Sequence, residues 1–341
     1  MTYPTTTTAA APAPGSAPAP GSAHPPGHRP DIQGLRGVAV LLVVAFHLWT
    51  DRVSGGVDVF FVLSAFLLTG TFVRRVERGR PLAVREYWVR TFARLVGPMA
   101  VMLLAVLAAV LALFPPSRWE ELLSHVWGSL SYAQNWVLAG QSVDYYAADS
   151  AATTPLQHTW SLSVQGQVFL LWPLLLAGCA LAARWAGLRF RTVARTVFAL
   201  VFAGSFAWSL AQTADAPAWA YFSTVTRLWE FALGSLAALA LTRSSRPQDA
   251  SRRSVPDAVA GPVGVALGWA GLAAVVATPF LLDTGARFPG TAALAPTLGA
   301  AAILLGGAPA PGTPRGACSQ HARCCGSGTG PTGSTCGTGR C

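Results

Sequence analysis

The apolar residues of this chain gather into runs long enough to cross the roughly 30 Å hydrocarbon layer of a bilayer, and the charged residues collect between those runs. The first run extends from Leu35 to Trp49, or from Ile32 if the helix carries Arg36 toward the interface. After the polar interruption Thr50 to Gly56, a second run continues from Val57 to Val73. Gly55-Gly56 makes a tight turn easy, so the two predict a helical hairpin. Further spans are predicted at about 95–113, 161–183, 193–212, 221–241, 259–279 and 289–307. The third ends before Pro115-Pro116.

The fold class expected is all-α, a polytopic membrane bundle of about eight transmembrane helices over residues 31–307. The segment 117–157 is half apolar in part, but it reads as an interfacial or re-entrant piece. Counting it as a span would put the arginines from Arg184 to Arg195 outside, against the bias of basic residues for cytoplasmic loops. That bias sets the orientation. Seven arginines lie between Arg74 and Arg94 against Glu77 and Glu86, which makes this loop cytoplasmic. Two crossings precede it, so the N-terminus is expected inside too. Arg243, Arg246, Arg252 and Arg253 fall in another loop of the same register.

Composition agrees and adds limits. The chain is 52% hydrophobic and 11% charged, with a mean hydropathy of +0.44. Soluble domains carry about 25% charged residues, so these charges are too few to cover a globule. The net charge of +10 comes from arginines in short segments between apolar runs, which excludes nucleic acid as the reading. Residues 1–30 are rich in Thr, Ala, Pro and Gly, without a basic start or apolar core, and read as a disordered cytoplasmic leader. Residues 308–341 read as a disordered Gly/Cys-rich tail of the kind an out-of-frame stretch of GC-rich DNA encodes. The tail holds five of the six cysteines, without a zinc spacing. Cys179 alone lies in an apolar run, where an inert buried thiol is expected.

Polar groups inside apolar runs are costly, and such residues usually face protein or a wet cavity. Arg36 and His47 are eleven residues apart, about three helical turns, so they share a face about 16 Å apart along the axis. This suits two stations in one groove; the plain alternative is a snorkelling arginine and a hydrogen-bonded histidine. Asp58 stands beside them. A second cluster, QHTWSLSVQGQ from Gln157 to Gln167, holds His158, Ser161 and Gln165, the last two at i,i+4 on one face. It could equally be an interfacial helix start anchored by Trp160. In TRLWE, Arg227 and Glu230 are spaced for an i,i+3 ion pair, which explains them structurally. No nucleotide-binding, serine-hydrolase or zinc-protease motif is present, and no metal ligands are visible.

At these residues the chain resembles the acyltransferase-3 family of bacterial membrane proteins, which includes O-antigen and other polysaccharide O-acetylases. DIQGLRGVAVLLVVAFH is similar to the family's opening, and GGVDVFFVLSAFLLTG to its second block. YWVRTFARLVGP, LQHTWSLSVQGQVFLLWP, YFSTVTRLWEFALGSLAA and FPGTAALAPTLGAAILLGG resemble later blocks in order. The resemblance implies a multi-pass protein of the bacterial inner membrane that transfers an acyl group, often acetyl. The donor would be acyl-CoA on the cytoplasmic side, a co-substrate rather than a bound cofactor. The acceptor would be a hydroxyl of a glycan, lipid-linked sugar or secondary metabolite. Arg36 would hold donor phosphates and His47 would be general base or acyl relay. His158 and Ser161 would shape the acceptor end, with Ser64, Gln165, Arg227 and Glu230 in support. Two departures stand out. Relatives carry two acidic residues where this chain has Gln165 and Gly166, and they continue for more helices. These departures point to the alternative of an inactive relative with a transport or structural role.

Overall fold

Why the chain forms helices is plain from its long apolar runs, and where they stop follows from turn residues. A computed structural model describes residues 30–45, 55–141, 154–241, 261–282 and 288–307. The expected tail, the loop arginines after 242, His47 and all of the expected leader except Pro30 lie outside the described residues.

Eleven α-helices are described: α1 Pro30–Ala45, α2 Gly56–Glu77, α3 Val84–Leu113, α4 Trp119–Leu130, α5 Gln134–Gly140, α6 Trp160–Trp185, α7 Phe190–Asp215, α8 Pro217–Phe222, α9 Thr224–Leu241, α10 Pro262–Leu281 and α11 Leu294–Gly306. Pro217 and Pro262 open α8 and α10, where the missing N–H costs nothing. Among the described residues, six segments are long and apolar enough to cross a membrane: α2, α3, α6 with the turn before it, α7, α9 and α10. The chain is therefore a multi-pass helical membrane bundle.

The expected count of eight is not matched by length. The described part of α1 has 16 residues and α11 has 13. The stretch predicted at 289–307 begins in turns instead, because Pro289 and Gly290 delay the helix to Leu294. Helix α3 departs the other way. It starts at Val84 rather than near 95, taking in Arg85, Arg90 and Arg94. Its 30 residues span about 45 Å, more than the hydrocarbon layer, so one end projects beyond it. The 117–157 segment makes only the short helices α4 and α5 among its described residues, as expected for a non-spanning piece.

Helices α2 and α9 lie innermost, with α9 packed against both α2 and α7. The approach of α2 to α9 is set by Gly234, where a Cβ would stand 2.1 Å from the Val62 carbonyl oxygen. Aromatic rings fill the space around this crossing. Phe61 stacks on Phe231 at 4.6 Å, and Trp172 lies 5.6 Å from Phe198. Helices α10 and α11 pair through Gly271 and Gly299. The outward faces of α3 and α7 stay exposed and apolar, as lipid contact requires.

Candidate functional site

Two groups of the polar residues singled out in the sequence form where α2, α6 and α9 pack together: Asp58 with Arg227 and Glu230, and Ser64 with Gln165. Arg227 on α9 is fully buried, and its Nη1 donates to Asp58 Oδ1 on α2 at 2.8 Å and to Glu230 Oε1 at 2.9 Å. Its Nε donates to the Tyr221 carbonyl at 3.3 Å. The rings of Trp160, Tyr221 and Phe288 surround the guanidinium carbon at 5.5, 5.1 and 4.9 Å from their centroids. Arg227 and Glu230 therefore form the i,i+3 pair the sequence suggests. Asp58 is the third member, brought in from 169 residues away. A cationic side chain enclosed by two carboxylates and three aromatic faces is a structural joint, since burying any one of these charges alone would be prohibitive.

The cluster of α6 divides among several partners. Gln165 Nε2 donates to Ser64 Oγ of α2 in a short contact, and both side chains are only partly buried. Gln167 binds elsewhere. Its Nε2 donates to the Tyr132 carbonyl at 2.8 Å and to Asn135 Oδ1 at 2.9 Å, while its Oε1 accepts from Thr224 Oγ1 at 2.6 Å. Asn135 closes the ring by donating to Thr224 Oγ1 at 3.0 Å and to the Phe222 carbonyl at 3.1 Å. This network ties α5 to α6 and α9. Asn135 and Thr224 were not legible as partners in sequence, because each stands in an unremarkable polar context. Between the two glutamines, Gly166 faces the Tyr132 ring so closely that a Cβ would lie 2.3 Å from Cδ1. A carboxylate side chain has no room at 166 while Tyr132 keeps this position.

His158 lies exposed in the 3₁₀ turn Gln157–Thr159, and Ser161 Oγ donates to its carbonyl at 3.4 Å. Trp160, two residues on, covers Arg227. His158 and Ser161 thus stand at the end of α6 that adjoins the ion cluster. Arg36 is exposed on α1, one turn before Ala39, whose carbonyl oxygen lies within 2.6 Å of a Cβ placed on Gly56. That puts Arg36 near the start of α2, at the same end as Asp58. His47 lies outside the described residues.

Chemically, a hydroxyl and an amide at Ser64 and Gln165 can donate hydrogen bonds to a developing negative charge, but neither accepts a proton at working pH. Asp58 and Glu230 are engaged by Arg227. Of the two histidines among the described residues, His125 is buried and bonded to Gln134 at 2.8 Å, which leaves His158 as the exposed one.

Comparison with known proteins agrees with this architecture. An acyltransferase domain model, that of the acyltransferase-3 type, matches residues 29–312. The chain is 34% identical over 151 residues to the peptidoglycan O-acetyltransferase OatA of Listeria monocytogenes, covering 43% of this chain and 24% of that protein. It is 30% identical over 231 residues to the O-acetyltransferase OatA of Staphylococcus aureus, covering 66% of this chain and 37% of that one. These matches thus take in well under half the length of either relative. No solved structure matches.

Proposed function

Because this chain belongs to the acyltransferase-3 family, we propose that it transfers an acyl group, acetyl foremost, from acyl-CoA to a hydroxyl of a carbohydrate or related acceptor. The observation that carries this reading is the extent of the family match, which runs through every described helix. The glycan character of the acceptor rests on the relatives, one of which is by name a peptidoglycan O-acetyltransferase.

In this reading His47 takes the proton of the acceptor hydroxyl as its oxygen bonds to the thioester carbonyl carbon, or relays the acyl group itself. The carbon–sulfur bond breaks, and the departing thiolate leaves as the thiol with that proton. Ser64 and Gln165 donate to the carbonyl oxygen as charge develops on it. His158 and Ser161 border the acceptor, and the Arg227 cluster with Glu230 holds α2 and α9 in register; Arg36, level with the start of α2 rather than its arginine-rich end, contacts the donor toward its acyl group and not at its phosphates. The donor approaches from the cytoplasmic side, where the basic loops place the arginine-rich end of the bundle.

A second reading, an inactive relative with a transport or structural role, is favoured by one observation. Gln165 is not a base, and Tyr132 fills the space a carboxylate at 166 would need. One experiment separates the two. The purified protein and its His47→Ala variant, matched by size-exclusion profile, are given labelled acetyl-CoA and a mixed glycan pool. The enzyme reading expects label transfer or CoA release by the parent, reduced about a hundredfold or more in the variant. Equal turnover in both would overturn the role of His47, and no turnover in either would support the inactive relative.

A further inference from the structure

Trp136 and Trp219 belong to two short helices, α5 and α8, that pack on each other. Their ring centroids lie 6.2 Å apart, with the ring planes inclined at 56°. Trp136 is 39% exposed and Trp219 is half-buried, so neither ring is enclosed. Both are nonetheless held in place. Trp136 Nε1 donates to Gln167 Oε1 at 3.3 Å, and Gln167 is itself fixed by Tyr132, Asn135 and Thr224. Helix α8 is fixed through three consecutive carbonyls. That of Ala220 accepts from Thr226 Oγ1 at 2.6 Å, that of Tyr221 from Arg227 Nε at 3.3 Å, and that of Phe222 from Asn135 Nδ2 at 3.1 Å. Asn135 therefore ties the helix of one ring to the helix of the other.

A tryptophan that anchors a helix at the membrane surface needs no such support. Among the described residues, Trp127, Trp185 and Trp269 are of that kind, exposed and without an aromatic neighbour. The inclined pair stands toward the end of the bundle opposite the arginine-rich turns, since α5 follows the far end of α3 and α8 follows that of α7. Polar groups flank it. Exposed Asp215 lies four residues before Trp219, exposed Gln141 five after Trp136, and the turn that carries His158 packs on α5. Gln165 and Gln167 are two residues apart on α6 and point to nearly opposite faces. The rings thus lie across α6 from Ser64, about one helix diameter (~10 Å) away.

We propose that Trp136 and Trp219 form a glycan platform, which holds sugar rings of the acceptor chain at a point removed from the reacting hydroxyl. A sugar ring presents apolar C–H faces and a rim of hydroxyls. The C–H faces lie against the electron-rich indole faces, while Asp215 and Gln141 accept from hydroxyls at the edge. Rings fixed beforehand lose little freedom when the sugar arrives. The inference rests on the O-acyltransferase reading above and adds a preference: the acceptor is a chain of sugars, because a single sugar cannot occupy the platform and reach Ser64 together.

The test measures binding of labelled soluble oligosaccharides of N-acetylglucosamine, glucose and mannose, and of the three monosaccharides, to the full chain in phosphatidylcholine nanodiscs. The proteins are the parent, W219L, W219F and, as a control at an exposed ring outside the platform, W127L. Trp219 is the ring changed because its substitution leaves the Gln167 network intact. At least one oligosaccharide is expected to bind the parent more tightly than its monosaccharide. W219L should weaken that binding about three- to tenfold, W219F less, and W127L not at all. Equal affinity in parent and W219L, an equal loss in W127L, or no oligosaccharide bound by the folded parent overturns the proposal. If W219L changes only the retention of lipid by the purified protein, the rings are membrane anchors and the proposal falls. The acceptor KM separates this inference from the enzyme reading. Turnover with an unchanged oligosaccharide KM in W219L refutes the platform alone, whereas Trp219-dependent oligosaccharide binding without turnover refutes the enzyme alone.

Discussion

Arg227 shows how single residues in this bundle carry more than their local sequence implies. An arginine three residues from a glutamate reads as an ordinary ion pair, but the third charge, Asp58, comes from another helix. The group contains two carboxylates and one guanidinium, so its members are not equivalent. Arg227→Gln leaves two buried carboxylates without a cation and is expected to destabilise the protein by about 3–5 kcal/mol. Asp58→Asn leaves a one-to-one pair and should be milder. Thermal unfolding in detergent followed by size-exclusion checks the order, and equal loss in the two variants would refute the account. His125 on α4 offers a pH test at the same scale. Burial holds its imidazole below the ordinary value near 6.5, outweighing the opposing influences of the Glu121 charge and the Gln134 hydrogen bond. A base whose folded pKa is depressed favours folding in its neutral form. That contribution is complete above 6.5 and is lost progressively as pH falls toward the folded value. The unfolding midpoint should therefore drop between pH 7.5 and 5.5, and drop less in His125→Asn. Parallel profiles would exclude His125 as the cause.

At the scale of helices, small residues decide how closely the elements approach. The α2–α9 crossing brings the Gly234 Cα toward the Val62 carbonyl, where a Cβ would be 2.1 Å from backbone oxygen. Backbone cannot rotate away as a side chain can. Gly234→Ala should force the two helices apart and lower stability by at least about 1–3 kcal/mol, and because the helices separate, the Phe61–Phe231 stack should loosen too. A thermal midpoint unchanged from the parent would show that the crossing is not tight. Helix ends were legible to a few residues in α6, because apolar runs and flanking polar residues define them. The start of α3 was not. Its first turns are rich in arginine, and hydropathy has no view of a helix that continues beyond the lipid. Pairing of Glu86 with Arg90 at i,i+4 helps that segment stay helical.

Across the whole molecule, two polar regions stand at different points along α2. One is the Asp58–Arg227–Glu230 joint with the Ser64–Gln165 pair beside it, and the other is a cavity near Glu77 lined by Arg74, Arg75, Arg78 and Arg80. Helix α2 connects the two regions directly.

The sequence by itself determined that this is a helical membrane protein of the acyltransferase-3 kind. Long apolar runs and few charges leave no other solvent for the surface, and ordered motif blocks survive in linear form. It also marked Arg36, His47, Asp58, His158, Ser161, Gln165, Arg227 and Glu230 as polar groups that are costly in an apolar run, and the family resemblance added Ser64. Only the tertiary structure decided which of these meet. It joined Gln165 to Ser64 and Asp58 to Arg227, set Tyr132 against Gly166, and left four arginines of one helix end around a shared cavity. The physical reason is that spacing along a chain fixes only which residues share a face of one helix. Partners contributed by other helices depend on how those helices cross, and that is set by packing around residues such as Gly234, whose importance no local pattern reveals.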